Sequence, residues 1–312
     1  MFHRSFFLLP VLLLVGLAAV PHRARANNPP LVAIQAGHWR ANEHADEFHW
    51  LRTSTGAVHA GVREVDLNID IAHRVAEYLR SWGNEAYVLP ATVPPNYKAD
   101  AFVSIHADGS SNRDARGFKV ATYWRDWEAS NTLVRLIEEE YGRQTGLPKD
   151  WRITRNMRGY YAFNSGLYEH TIAEDTPGAI LEMGFLSNRA DRDFLLAHRD
   201  LVANAIALGI ARFLGDTPAW GWSPPPLLPR GDIIEVLHGG TPMFEFPDAQ
   251  SRIVDRAGRN ERFAVVERFP GWAKLFSYDG QERWIEDWKT QQVWVPVPQS
   301  VVPDPQSVVP GP

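Results

Sequence analysis

The sequence predicts an α/β domain, with a mostly parallel twisted sheet flanked by helices, followed by a small β-barrel. Three observations predict it. Compact apolar runs at Leu31 to Ala36, Ala86 to Leu89, Ala101 to Ile105 and Ala179 to Met183 read as buried strands. Between them lie segments of helical spacing, and strands that alternate with helices form a parallel sheet. Beyond a Pro-rich break the pattern changes to short β-type runs divided by turn residues.

The first strand, Leu31 to Ala36, stops at Gly37 and His38, and a polar, irregular loop follows from Trp39 to about Gly61. Val65, Ile69, Ala72, Val75, Ala76 and Leu79 then recur at helical spacing, predicting a helix from Val65 to Trp82 with Gly83 past its end. Ala86 to Leu89 is the next strand, and Ala101 to Ile105 another, ending at His106. Phe118 to Trp124 reads as a strand, and Ser130 or Asn131 as the cap of a helix reaching Tyr141. Residues 142–177 carry no clear period and read as loops. Ala179 to Met183 is the last strand of the domain, and Ser187 or Asn188 caps a final helix reaching Phe213.

These readings divide the chain of 312 residues. Residues 1–26 read as a signal peptide, 31–215 as the α/β domain, 216–230 as a Pro-rich linker, 231–295 as the small β domain and 296–312 as a disordered tail. The start has a basic residue, an apolar run from Phe6 to Val20 and the Ala24-Arg25-Ala26 ending of an export signal. About 15 apolar residues are short for a membrane span, and no other segment is long enough. The expectation is an exported chain, in the periplasm or cell wall, with no transmembrane segment after cleavage. In the small domain the strand candidates are Ile233 to Leu237, Arg262 to Phe269, Trp272 to Phe276 and Arg283 to Ile285. The tail repeats Ser-Val-Val-Pro, a composition that does not pack.

Composition narrows the chemistry. A net charge of −5 offers no basic stripe for nucleic acid. With no cysteine there is neither a disulfide framework nor a thiolate metal site, so any metal must be held by histidine and carboxylate.

In parallel sheets function collects at the carboxyl ends of the strands. Those ends hold His38, His106 and Glu182, and Glu64 opens the helix after the loop. Two imidazoles and a carboxylate suit a catalytic zinc, which takes three protein ligands and leaves a position for water. A second carboxylate, Glu182, would then move the proton of that water to a leaving nitrogen. Taken singly, each residue admits a structural role: a strand-end histidine is often just hydrogen-bonded, and the helix dipole favours an acid at Glu64. His44, His49 and His59 in the neighbouring loop are alternative ligands, and His170 and Arg158 are candidates for substrate contact. Trp39 either lines the cleft or packs.

Four segments carry a resemblance: Val32-Ala-Ile-Gln-Ala-Gly-His38, Arg63-Glu64-Val65-Asp66-Leu67-Asn68, Phe102-Val-Ser-Ile-His106-Ala107 and Ile180-Leu-Glu182-Met-Gly-Phe-Leu-Ser-Asn188. In this order and spacing, residues 31–215 resemble the zinc-dependent N-acetylmuramoyl-L-alanine amidases of the amidase family 3 type. The resemblance implies Zn2+ bound by His38, Glu64 and His106, a catalytic Glu182, and peptidoglycan as substrate. The bond cut would be the amide between N-acetylmuramic acid and the L-alanine of the stem peptide. The sequence departs from the family where Gln35 and Ala36 replace the usual acidic-Pro pair and Trp39 follows the histidine. The stretch between Leu89 and Lys98 is short for the family, and residues 124–176 align with nothing in it. Around 231–288, Gly271-Trp272 and Arg283-Trp284-Ile285 resemble bacterial SH3-like domains, which often bind cell wall. There Trp272, Trp284 and Trp288 either stack on sugars or fill the core.

The sequence leaves two rival readings. A wall-acting zinc carboxypeptidase would use the same chemistry, but its His-x-x-Glu pair is missing, since Trp39-Arg40-Ala41 follow His38. A non-catalytic wall-binding protein would have no need of all four site residues. A protein activator or an inhibitory element is not legible in the sequence.

Overall fold

The computed structural model describes residues 29–124, 127–216, 232–275 and 281–293. The expected signal peptide and tail lie outside these, as does the expected linker beyond Asp216.

Strands Leu31–Ala36 (β1), Glu85–Leu89 (β4), Ala101–Asp108 (β5), Lys119–Ala121 (β6) and Gly178–Phe185 (β7) form one sheet in the order β4-β1-β5-β7-β6. The first four strands of that order run parallel, and only β6 is antiparallel, at the edge beside β7. The expectation of a mostly parallel sheet is met in this mixed form. Val58–His59 (β2) and Val62–Arg63 (β3) make a separate hairpin whose turn residues Ala60 and Gly61 both have positive φ. The hairpin runs directly into helix Glu64–Ser81 (α1).

One face of the sheet is covered by α1 and by helices Glu128–Thr145 (α2) and Arg199–Asp216 (α5), with Leu195 of Arg189–Ala197 (α4) joining the same core. The opposite face is covered by chain from the 91–99 and 153–173 regions, including the short helix Arg155–Arg158 (α3). Because side chains alternate along a strand, the assignment of faces follows from sequence parity. Val32, Ile34, Val103, Ile105, Leu181 and Met183 enter the helix-covered core, and Ala33, Phe102 and Ile180 enter the other. The next residues of that second parity are Gln35, Ser104, His106 and Glu182. The non-helical face is therefore apolar at its amino end and polar at its carboxyl end.

Two helix boundaries differ from expectation. α2 starts at Glu128, with no side-chain cap from Trp127, because the Ser130 hydroxyl instead accepts from the Gly178 amide (3.1 Å) and ties the helix to β7. The last helix is two, α4 and α5, bent by 85° at His198. Apolar spacing continues across the bend, since Leu195 and Val202 join one core, so periodicity gave no sign of it. Asn188 caps α4 as expected, accepting from Ala190 (3.0 Å) and Asp191 (3.3 Å). Among the described residues no single helix is long and apolar enough to cross a membrane.

The C-terminal region contains Ile233–Val236 (β8), Thr241–Phe244 (β9), Ile253–Ala257 (β10), Arg262–Phe269 (β11), Trp272–Leu275 (β12), Trp284–Glu286 (β13) and Thr290–Val293 (β14). They form an antiparallel sheet in the order β10-β9-β13-β12-β11-β8-β14. The expected barrel is corrected here: the end strands β10 and β14 do not pair among the described residues, so the sheet is open. Ile234, Val236, Met243, Ala273, Leu275 and Ile285 form its small core. Trp284 is buried apart from that core, with the Lys274 ammonium over its ring, Trp272 meets Phe244 edge to face, and Trp288 is 69% exposed.

Candidate metal centre and its cleft

His38, Glu64 and His106 come together at the carboxyl end of the sheet, with one potential ligand atom from each within 4.8 Å of the others. His38 follows β1 in a left-handed conformation (φ 65°), which turns its ring back over the strand ends. Glu64 is the first residue of α1, where the β2–β3 hairpin delivers it. Its amide donates to the Ala57 carbonyl (2.9 Å), and the Ala57 amide donates to Glu64 Oε2 (2.7 Å). This pair of bonds fixes the carboxylate. His106 lies within β5, opposite Glu182 in the β5–β7 register, so both side chains rise from the same face.

The donors available to each group assign the tautomers. His38 Nδ1 lies 2.9 Å from the Ser54 carbonyl oxygen, which can only accept, so Nδ1 carries the hydrogen. Tyr160 donates its hydroxyl hydrogen to Gln35 Oε1 (2.7 Å), so its oxygen accepts from His106 Nε2 (3.3 Å). The lone pairs of His38 Nε2 and His106 Nδ1 then both face Glu64 Oε1, at 3.3 and 3.0 Å. Three acceptors converging on one point repel unless a proton or a cation lies among them. This donor set fits zinc, with each imidazole oriented through its other nitrogen. The electrostatics agree. Burial pulls the His38 pKa down, yet the Glu64 carboxylate more than offsets it and the net pKa is raised. Burial pushes Glu64 up, but His106 and His38, which donate to it once protonated, hold it well below the carboxylate range.

Glu182 behaves in the opposite way. Burial first, then the charges of Glu64 and Asp108, raise its pKa well above the usual value, while Lys119 opposes them. Its Oε2 atom is enclosed with no hydrogen-bond partner in the structure. Lys119, its register partner on β6, is itself buried against Asp108 (2.5 Å) and Asp150 (3.4 Å).

Several contributors were not legible from sequence. Gly37 must be glycine, because a Cβ there would lie 2.3 Å from His106 Cε1. At Gly56, with φ +81°, a Cβ would meet Glu64 Oε2 at 2.7 Å. Asn68, one turn after Glu64, donates to the Gly37 carbonyl (3.1 Å) and to Glu64 Oε1 (3.2 Å), and its i,i+4 spacing was the available signal. Tyr160 comes from the stretch without period. Gln35 bridges Tyr160 to the Ala91 carbonyl, its Nε2 donating there at 2.7 Å.

The other candidate ligands stay outside the triad, although His44 lines the same cleft. His44 Nδ1 faces Thr92 Oγ1 (2.8 Å), His49 Nε2 faces Asn260 (3.0 Å) and His59 Nδ1 faces Arg113 (3.2 Å); none joins the triad. His170 is bonded to Glu47 (3.0 Å), and Trp39 packs against the core beside His73 rather than lining the cleft. Neither His170 nor Arg158 is among the cleft-lining residues.

His38 and His106 open onto a cavity of about 740 Å³. Its walls come from the sheet end, from the 155–168 stretch and from the C-terminal sheet.

A sequence profile of the N-acetylmuramoyl-L-alanine amidases (Amidase_3) matches residues 32–212. The chain belongs to this family. The matched span contains all four predicted site residues. Among relatives, a probable cell wall amidase LytH of Staphylococcus epidermidis is 29% identical over 120 residues, which is 38% of this chain and 36% of that protein. The chain thus spans about a third of that relative's length. A germination-specific N-acetylmuramoyl-L-alanine amidase of Bacillus subtilis is 23% identical over 193 residues, 52% of this chain and 77% of that protein. The catalytic domain of CwlV from Bacillus (Paenibacillus) polymyxa var. colistinus is 24% identical, covering 60% of this chain and 99% of that domain, with a TM-score of 0.43.

Proposed function

We propose that this amidase-family chain hydrolyses the amide between N-acetylmuramic acid and L-alanine in peptidoglycan, with zinc held by His38, Glu64 and His106. The observation that carries the reading is the convergence of two imidazole lone pairs on a fixed, ionised carboxylate. Zinc bound there supplies Lewis acidity toward the lactyl carbonyl and makes water a usable nucleophile near neutral pH. Glu182 holds the proton in this scheme. Its raised affinity for protons suits a group that takes one from water and passes it to the departing L-alanine nitrogen, which cannot leave as an anion. The Ser54 carbonyl and the Tyr160 hydroxyl keep the imidazoles turned inward, and Asn68 and the Ala57 amide keep Glu64 in place.

The same reading takes residues 31–215 as the catalytic domain and places the protein outside the cytoplasm, in the periplasm or wall, because its substrate lies there. The C-terminal strands serve as an SH3-like wall-binding element in this account, with the exposed Trp288 as the ring most available to a sugar face. The amidase is favoured over the carboxypeptidase by the family match and by the missing His-x-x-Glu pair.

A defined N-acetylmuramoyl-pentapeptide tests the proposal. Zinc-loaded protein is expected to release a peptide with a free L-alanine amino end, seen by mass spectrometry, and a chelator is expected to abolish it. Release of a C-terminal residue instead would assign the peptidase reading.

A further inference from the structure

The C-terminal sheet is part of the cleft wall. The turn between β10 and β11, residues Gly258 to Glu261, is held from both sides. Within it, the Gly258 amide donates to Glu261 Oε2 (2.8 Å), and the Asn260 amide donates to the Val236 carbonyl (2.7 Å). Toward the amidase domain, Arg155 donates to Glu261 Oε1 (2.8 Å) and Asn260 Nδ2 meets His49 Nε2 (3.0 Å). One residue on, Arg262 donates to the Leu167 carbonyl (3.0 Å) and lies over the Tyr168 ring. The turn is therefore fixed against the same 155–168 stretch that brings Tyr160 to the metal centre.

The charges along this cavity are uneven. Its lining includes Arg155, Arg259, Arg262 and Arg283, with Glu261 as its carboxylate. Arg155 is taken up by Glu261 and Asp255, Arg262 by Glu235 and Glu47, and Arg283 by Asp255. Arg259, at the tip of the turn, is exposed, and no carboxylate pairs with it among the described residues. A guanidinium left unpaired on a turn held in this way, in the same cavity as the proposed reacting centre, has the geometry to take a carboxylate through two parallel hydrogen bonds.

We propose that Arg259 is a specificity residue supplied by the C-terminal sheet, binding a free carboxylate of the stem peptide while the muramoyl-L-alanine amide lies at the metal centre. This rests on the amidase reading. The C-terminal region then does more than tether the enzyme: it selects among wall peptides by their charge.

The test uses the full chain and two muramoyl peptides, one with all its carboxylates free and one with them converted to carboxamides. Arg259→Ala is expected to raise KM for the acidic peptide about tenfold, with kcat unchanged, and to leave the amidated peptide alone. Arg259→Lys should keep most of the preference, and rising salt should erase it in the wild type. Equal effects on the two peptides, or none, overturn the proposal. If the wild type cleaves neither, the amidase reading fails by itself. Binding of the two peptides, labelled and followed by fluorescence anisotropy, then decides: a preference for the acidic one that Arg259→Ala removes supports the role, and an unchanged or absent preference overturns it.

Discussion

Replacing Gly37 with alanine isolates the geometry of the proposed metal centre from its chemistry, since no proposed ligand is altered. The new Cβ would lie 2.3, 2.5 and 2.6 Å from His106 Cε1, Nε2 and Nδ1. Ordinary carbon contacts are about 3.5–4.0 Å, so ring and backbone must separate by roughly 1.2 Å or more. His106 cannot yield without loss, because its ring is held between Glu64 and Tyr160. Misplacement by about 1 Å costs on the order of a hundredfold in rate, and loss of ligand orientation about 10–100-fold in metal affinity. The assay is zinc retention against a competing chelator, measured beside turnover of the muramoyl peptide and a far-ultraviolet spectrum. Gly215→Ala is the control, as nothing lies within 4 Å of a Cβ there. Wild-type zinc affinity and turnover in Gly37→Ala would refute the placement of His106 as a ligand packed on the Gly37 backbone.

Glu182→Gln is expected to bind zinc normally and to lose about 10²–10⁴ in kcat, measured at saturating substrate. In chelated protein the same change should affect stability in a pH-dependent direction. A carboxyl whose folded pKa is raised stabilises the fold below its unfolded pKa of about 4.3, and that contribution is lost as pH rises. Chelated wild type should therefore lose melting temperature from pH 4 toward neutrality relative to Glu182→Gln; parallel curves would contradict this. Tyr160→Phe leaves His106 Nε2 without its acceptor, and zinc affinity should fall about 10–100-fold. Excess zinc should restore most of its activity, which sets it apart from a loss of catalytic machinery.

How much of this could be read beforehand varies by element. β1 and β11 run over the residues expected from their apolar runs, and α1 begins one residue early, at Glu64. The placement of His38, His106 and Glu182 at one end of the sheet was legible because a parallel sheet concentrates polar residues at its carboxyl ends, and parity puts Gln35, Ser104, His106 and Glu182 on one face. Tyr160 was not legible: it lies between α3 and a 3-10 turn, in chain whose position depends on long-range contacts with Gln35 and Ser104. The short strands β9, β10 and β14 also escaped notice. They are four or five residues long, and their pairing rather than their composition defines them. That the C-terminal sheet would pack on the first domain through Asn260 and Glu261 had no counterpart in any motif.

The most direct test of the central claim is digestion of isolated cell walls, counting new amino ends by residue type. With zinc present the wild type is expected to expose free L-alanine amino ends, and a chelator or Glu182→Gln should remove them. Folded, zinc-loaded protein that leaves L-alanine blocked, or that opens the stem peptide at another bond, would contradict the account.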